Sequence, residues 1–213
     1  LSEPAVTLTD YALAVLCAAL SWRVGVREGG DAALRRGFAL FFAAAAISPL
    51  LGGTVHGFFP DDESPTGKAL WRATLVSIGC AAALAAWIAT RAWWGERGAR
   101  RSRPWLAALL AAYVALVLAG VDRFAVAIAA YLPASLLLLL AFARAARRRG
   151  ELRIGLGALG LALAFVGALG QQLRLGLHPV YFDHNAVYHV IQGGAFLLVF
   201  AGALPLVRGG ERR

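Results

Sequence analysis

Charge is scarce in this chain. Asp, Glu, Lys and Arg make up 15% of its 213 residues, where a soluble domain carries about 25%. Hydrophobic residues make up 60%, against roughly 45–50% in soluble domains, and mean hydropathy is +0.66. These figures exclude a water-soluble globule, a disordered chain and a nucleic-acid-binding domain, although the net charge is +9. Cysteine is limited to Cys17 and Cys80, both within apolar runs. Two are too few for a disulfide scaffold, and they read as small hydrophobes. The single lysine, Lys68, lies outside the apolar stretches, which disfavours a retinal-type receptor. Internal repeats and linkers are missing, so residues 1–213 read as one domain. The same lack disfavours a transporter built from repeats or broken midplane helices. Gly155-Leu156-Gly157 has no strand before it and is not a phosphate loop.

Long apolar runs fill the chain instead. A membrane helix needs about 20 mostly apolar residues. Seven stretches qualify: Val6 to Arg23, Leu34 to Val55, Leu70 to Arg91, Trp105 to Val121, Phe124 to Ala143, Ile154 to Leu173 and Asn185 to Val207. The first is no signal peptide, because it lacks a basic leader and carries Glu3 and Asp10. The expected fold is a seven-helix transmembrane bundle. Small residues such as Gly52, Gly53, Gly155, Gly157, Gly160, Gly193 and Gly194 would let its helices approach closely.

The basic residues orient it. Seventeen of 21 fall in alternate loops and the C-terminal tail, the last being Arg208, Arg212 and Arg213; Lys68, Arg72, Arg123 and Arg174 fall on the other side. The positive-inside rule places the N-terminus outside and the C-terminus in the cytoplasm. The Arg- and Ala-rich composition suggests a GC-rich genome and a bacterial inner membrane.

Polar residues within such spans are costly and carry the information. His56, His178, His184 and His189 all fall at the outer side, with Glu3, Asp10, Asp61, Asp62, Glu63, Asp122 and Asp183. Imidazoles and carboxylates commonly build metal sites. Asn185, His189 and Gln192 stand at i, i+4 and i+7, on one face of the last span, with Tyr188 beside them. Glu3, Thr7 and Asp10 repeat that spacing on the first span. The two stripes and His56 are expected to meet in an outward-opening cavity. There Asn185, Tyr188, Gln192 and Thr7 would contact substrate. Simpler roles also exist. Asp183 can cap the last helix, Asp61-Asp62-Glu63 reads as a solvated loop tip bracketed by Pro60 and Pro65, and His178 reads as a loop residue.

At these residues the chain resembles the CREST superfamily of alkaline ceramidases, adiponectin- and progestin-type receptors and GPI-anchor remodelling proteins. Those proteins have seven spans, and many are zinc-dependent lipid amidases or hydrolases. Their pattern has Ser and His on the second span, Asp on the third and His-x-x-x-His on the seventh. Gly53-Thr54-Val55-His56 stands where the second-span His is expected, and Asp183-His184-Asn185-Ala186-Val187-Tyr188-His189 resembles the last motif. The chain departs from the pattern at Gly52, where the Ser belongs, and in its third span, which has no Asp. His184 and His189 are five residues apart, about 140° around a helix.

The resemblance implies a Zn²⁺ site on His56, His189 and a third ligand among His184, Asn185, Asp183 and Asp10. Asp10 or Glu3 would take a proton from bound water, and Arg72 or Arg174 would steady the oxyanion or a headgroup. The substrate would be a lipid amide or ester entering from the membrane, and the expected partners are lipids rather than nucleic acid. The alternatives are a haem or other non-catalytic metal protein using His56 and His189 as axial ligands, and a receptor or transporter with a ligand in the cavity.

Overall fold

The computed structural model describes residues 1–61, 64–178 and 181–208. Asp62, Glu63, Arg212 and Arg213 lie outside the described residues, as does Pro179 beside His178. The described chain is all helix apart from short loops and one isolated bridge between His178 and Phe182. Its elements are α1 (Pro4–Gly25), α2 (Ala32–Phe58), α3 (Pro65–Leu118), α4 (Phe124–Arg149), α5 (Leu152–Gln172) and α6 (His184–Arg208). Each is long and apolar enough to cross a membrane. Helices suit this composition because they satisfy every backbone polar group internally.

Six helices stand where seven were expected, because the third and fourth apolar stretches share α3. That helix is not straight. Gly95 adopts φ 69°, ψ −159°, a backbone state open essentially only to glycine. A straight helix would hold residues 75 and 113 about 57 Å apart, yet the Tyr113 hydroxyl donates to the Leu75 carbonyl at 2.8 Å. Nearer the bend the hydroxyls of Thr90 and Ser102 are 3.0 Å apart. The arms 65–94 and 96–118 therefore fold back on each other.

The helices form a closed ring: each packs on the next in sequence, and α6 returns to α1. The second arm of α3 packs outside the ring, through Tyr113 and Val117 against Leu75 and Ala127. Glycines set the tightest seams. A Cβ at Gly160 would lie 2.5 Å from the Ala195 carbonyl, and one at Gly202 would lie 2.3 Å from the Gly157 nitrogen, so α5 and α6 meet backbone to backbone. Of the other glycines expected at close seams, Gly53 and Gly157 are equally tight, while Gly52, Gly155, Gly193 and Gly194 have room for a methyl group.

The core is unevenly placed along the ring. Buried side chains fill the end where α1 finishes and α2 begins. There Phe38 stacks near Phe142 (5.9 Å between centroids), and Phe42 meets Phe196 edge-on (6.1 Å). At this end Asp31 caps α2, accepting from the backbone N–H groups of Ala33 and Leu34, and holds the Arg91 guanidinium at 2.9 Å. Burial pushes the Asp31 carboxyl up, but the hydrogen bonds from Arg91 and Leu34, the Arg91 charge and the Ala33 bond together hold it below the usual Asp range.

Two measurements test this frame. Gly95→Ala should lower stability by about 1–3 kcal/mol, read as a fall in thermal midpoint. No atom lies near its Cβ, so the loss would be backbone strain alone. Asp31→Ala should cost about 1–2 kcal/mol. Because the folded carboxyl is held low, its stabilisation is complete above the unfolded value of about pH 4 and drains away as pH falls through the folded value. The wild-type and Asp31→Ala midpoints should therefore converge in acid.

Candidate functional site

The opposite end of the ring is hollow. A cavity of about 510 Å³ lies between α1, α2, the first arm of α3, α4, α5 and α6. Its walls are mostly apolar, including Leu13, Ile78, Ile128, Leu161 and Phe165, and Phe196 of the aromatic cluster also borders it. None of its lining residues comes from 96–118. Its polar groups include Asp10 of α1, His56 of α2 and Asn185, Tyr188, His189 and Gln192 of α6, together with Gln171 and Gln172 of α5; Ser48, Trp71, Thr74, Tyr131 and Ser135 also line it.

Asp10 and His189 meet across the α1–α6 seam, with Oδ1 3.3 Å from Nε2. Asp10 is only 4% exposed. The other ring nitrogen, Nδ1, is 3.2 Å from the Thr9 hydroxyl, which in turn reaches the carbonyls of Ala5 and Val6. A proton held between Oδ1 of Asp10 and Nε2 of His189 would satisfy both atoms. Oδ2 of Asp10 faces Gly52, about 4.0 Å from where a Cβ there would stand. Thr74 of α3 borders the same spot, its methyl carbon 3.6 Å from that Cβ position. Asp10 thus stands, from α1, beside Gly52 of α2 and Thr74 of α3.

A second pair lies nearer solvent, where His56 Nδ1 is 3.0 Å from Glu3 Oε2. Their side chains are 31% and 49% exposed. At the α5–α6 rim the Gln172 amide donates to Gln171, whose amide donates to Asn185 Oδ1, each at 3.0 Å.

The expected site residues thus divide. Asp10, His56, Asn185, Tyr188, His189 and Gln192 line one cavity. Thr7 is buried but turns to α2, where its side chain would lie 3.0 Å from a Cβ at Gly57. Its hydroxyl donates to the Glu3 carbonyl. Arg72 is engaged with Asp122 at 2.9 Å and pins the α3–α4 turn, with the Trp71 indole donating to the Asp122 carbonyl. His184 opens α6 and is not in the lining. Asp183 caps that helix by accepting from Ala186 N–H. Among the described residues no three His, Cys, Asp or Glu side chains are placed to hold one ion. Each imidazole of the site is paired with its own carboxylate instead. As placed, neither pair is joined by a third such side chain among the described residues.

Thr9, Gln171 and Gln172 were missed by the stripe argument. Thr9 lies about 100° round the helix from Asp10, off the i, i+4, i+7 line, yet the two flank one imidazole. The paired amides at the end of the sixth apolar run were a signal, since amides at a membrane-buried helix face seek partners.

A family model matches residues 5–207, nearly the whole chain. The chain belongs to DUF6962, a family of unknown function. No curated protein and no solved structure matches it. For this DUF6962 member, then, the geometry of the cavity carries the functional argument.

The close approach of α1 and α2 sets where Asp10 stands. A Cβ at Gly53 would be 2.7 Å from Asp10 Cβ, whereas one at Gly52 meets nothing closer than 3.6 Å. Gly53→Ala should cost about 1–3 kcal/mol through overpacking, and Gly52→Ala, which relieves a helix-interior glycine without a clash, should be neutral or stabilising by up to about 1 kcal/mol. Paired thermal midpoints in detergent check the contrast.

Proposed function

We propose that this protein crosses the membrane seven times, with its N-terminus outside, and hydrolyses an amide or ester bond of a lipid held in the central cavity. The five unbroken helices and the two arms of α3 support the seven crossings, and the arginines gathered at one end support the orientation. The observation that carries the chemistry is the Asp10–His189 contact at the polar end of a mostly apolar cavity. The volume of about 510 Å³ lies within the range of ligand pockets, about 300–1,000 Å³. Apolar walls suit an acyl chain, and the polar end suits the linkage to its head.

In this reading Asp10 is the general base. Its Oδ2 takes a proton from water as the water oxygen bonds to the lipid carbonyl carbon. His189, fixed by Thr9, balances charge on Asp10 through the proton they share. Collapse of the tetrahedral species breaks the C–N or C–O bond, and the proton taken by Asp10 passes to the departing amine or alcohol. The products are a fatty acid and the freed head. Tyr188 and Gln192 are the hydrogen-bond donors on the same wall for the carbonyl oxygen. His56 and Glu3 meet the head at the mouth.

The test is release of fatty acid from a panel of amide- and ester-linked lipids by the purified protein, read by mass spectrometry. Asp10→Asn and His189→Ala should each lower turnover at least 100-fold, while His56→Gln should act mainly on KM. Metal content is measured on the same samples. Zinc at one per chain, lost in the His56→Ala and His189→Ala variants, would overturn the metal-free mechanism. A lipid bound in the cavity but never cleaved would overturn catalysis and leave a ligand-binding protein.

A further inference from the structure

The inner end of the bundle has a cavity of its own. It holds about 180 Å³ between the end of α1, the loop to α2, the start of α2 and the end of α6. Asp10 and Val24 are 14 residues apart on α1, so this cavity is about 21 Å from the Asp10–His189 pair. Arg27, Arg35 and Arg208 line it, with Glu28 as the one acid, over an apolar floor that includes Val24, Leu204 and Val207. Three guanidiniums against one carboxylate leave an excess of positive charge.

Several arginines elsewhere in the bundle are engaged internally. Arg72 is paired with Asp122 and Arg91 with Asp31. Arg149 donates to the last carbonyls of α6, and Arg144 lies over the Trp93 ring. Among the described residues the side chains of Arg27 and Arg208 have no such partner, and Arg35 makes one bond, to the Gly29 carbonyl at 2.7 Å. The walls are fixed in place. The Asp31 N–H donates to the Val207 carbonyl at 2.7 Å, and Gly30 is pressed so close to α6 that a Cβ would lie 2.3 Å from that carbonyl.

We infer that this cavity binds the phosphate of an anionic phospholipid from the inner leaflet. Guanidiniums pair with phosphate oxygens through forked, charge-assisted hydrogen bonds, and basic pockets between membrane helices on the cytoplasmic side suit anionic heads. The size admits a head and not an acyl chain. Exposed Trp22 and Val26 lie within two residues of the lining Val24, which puts the site at the depth of apolar side chains that face lipid, with the indole at the membrane–water boundary. That position favours a lipid over free phosphate as the source.

The inference rests on the proposed membrane orientation but not on the hydrolase reading, and its test needs no activity. Detergent-purified protein is titrated with phosphatidylglycerol, phosphatidylcholine or inorganic phosphate, with bound lipid counted by native mass spectrometry and the thermal midpoint recorded. One phosphatidylglycerol per chain should bind saturably and raise the midpoint, and phosphatidylcholine should do neither. Arg27→Gln/Arg208→Gln, which breaks no internal hydrogen bond, should weaken that binding at least tenfold. Arg100→Gln/Arg101→Gln, at the same end but outside the cavity, should leave it unchanged. Equal weakening in both double variants would overturn the site in favour of diffuse charge. Equal retention of the two lipids would overturn it as well. Saturation by inorganic phosphate with no gain from phosphatidylglycerol would overturn the lipid source.

Discussion

A carboxyl group buried between helices with almost no access to water must share its proton or its charge with something nearby, and Asp10 does so with His189. That contact lies on the seam where the first and last helices close the ring. The cavity needs the ring closed, and the polar end of the cavity is the pair itself. Gly53 lets α1 come near enough to α2 to aim Asp10 inward, and Thr9 fixes the imidazole from the same turn of α1. The site is thus assembled by helix packing rather than by loops, and its geometry is as rigid as the seams around it.

The same demand for partners explains much of the rest of the polar inventory. Arg72 and Asp122 neutralise each other at a turn, Asp31 serves both a helix end and Arg91, and the rim amides satisfy one another. Arg27 and Arg208, which lack an internal partner among the described residues, border a concavity, whereas the buried Trp87 indole N–H is left without a partner inside the packing. In so apolar a chain, unmet polar groups that border a concavity mark where other molecules belong.

Much of this was legible in the sequence. Apolar runs gave the helices, because run length and backbone satisfaction in an apolar setting leave little choice. Helical spacing brought Asn185, His189 and Gln192 to one wall and Asp10 towards them. What remained hidden depended on three-dimensional packing. The reversal between the third and fourth apolar runs was expected, but not that it would be made at one residue, Gly95, with helix continuing on both sides. Spacing within α1 put Thr7 and Asp10 on one stripe, yet the tilt of α1 against α2 turns Thr7 to Gly57 and brings Thr9 to the imidazole. Arg72 was free to serve a headgroup until the α3–α4 turn brought Asp122 beside it. His184, only five residues before His189, leaves the wall because helical rotation carries it away.

The uneven filling of the ring has one more consequence. The helices that enclose the central cavity at one end close on each other towards the other, around Phe38, Phe42, Phe142 and Phe196. The interior is therefore a blind well and not a pore. Protons reaching the Asp10–His189 pair come from one face only, so in this conformation the pair equilibrates with the solution on that face alone. Across a membrane that maintains a proton gradient, the charge state of the well would follow one compartment and be deaf to the other.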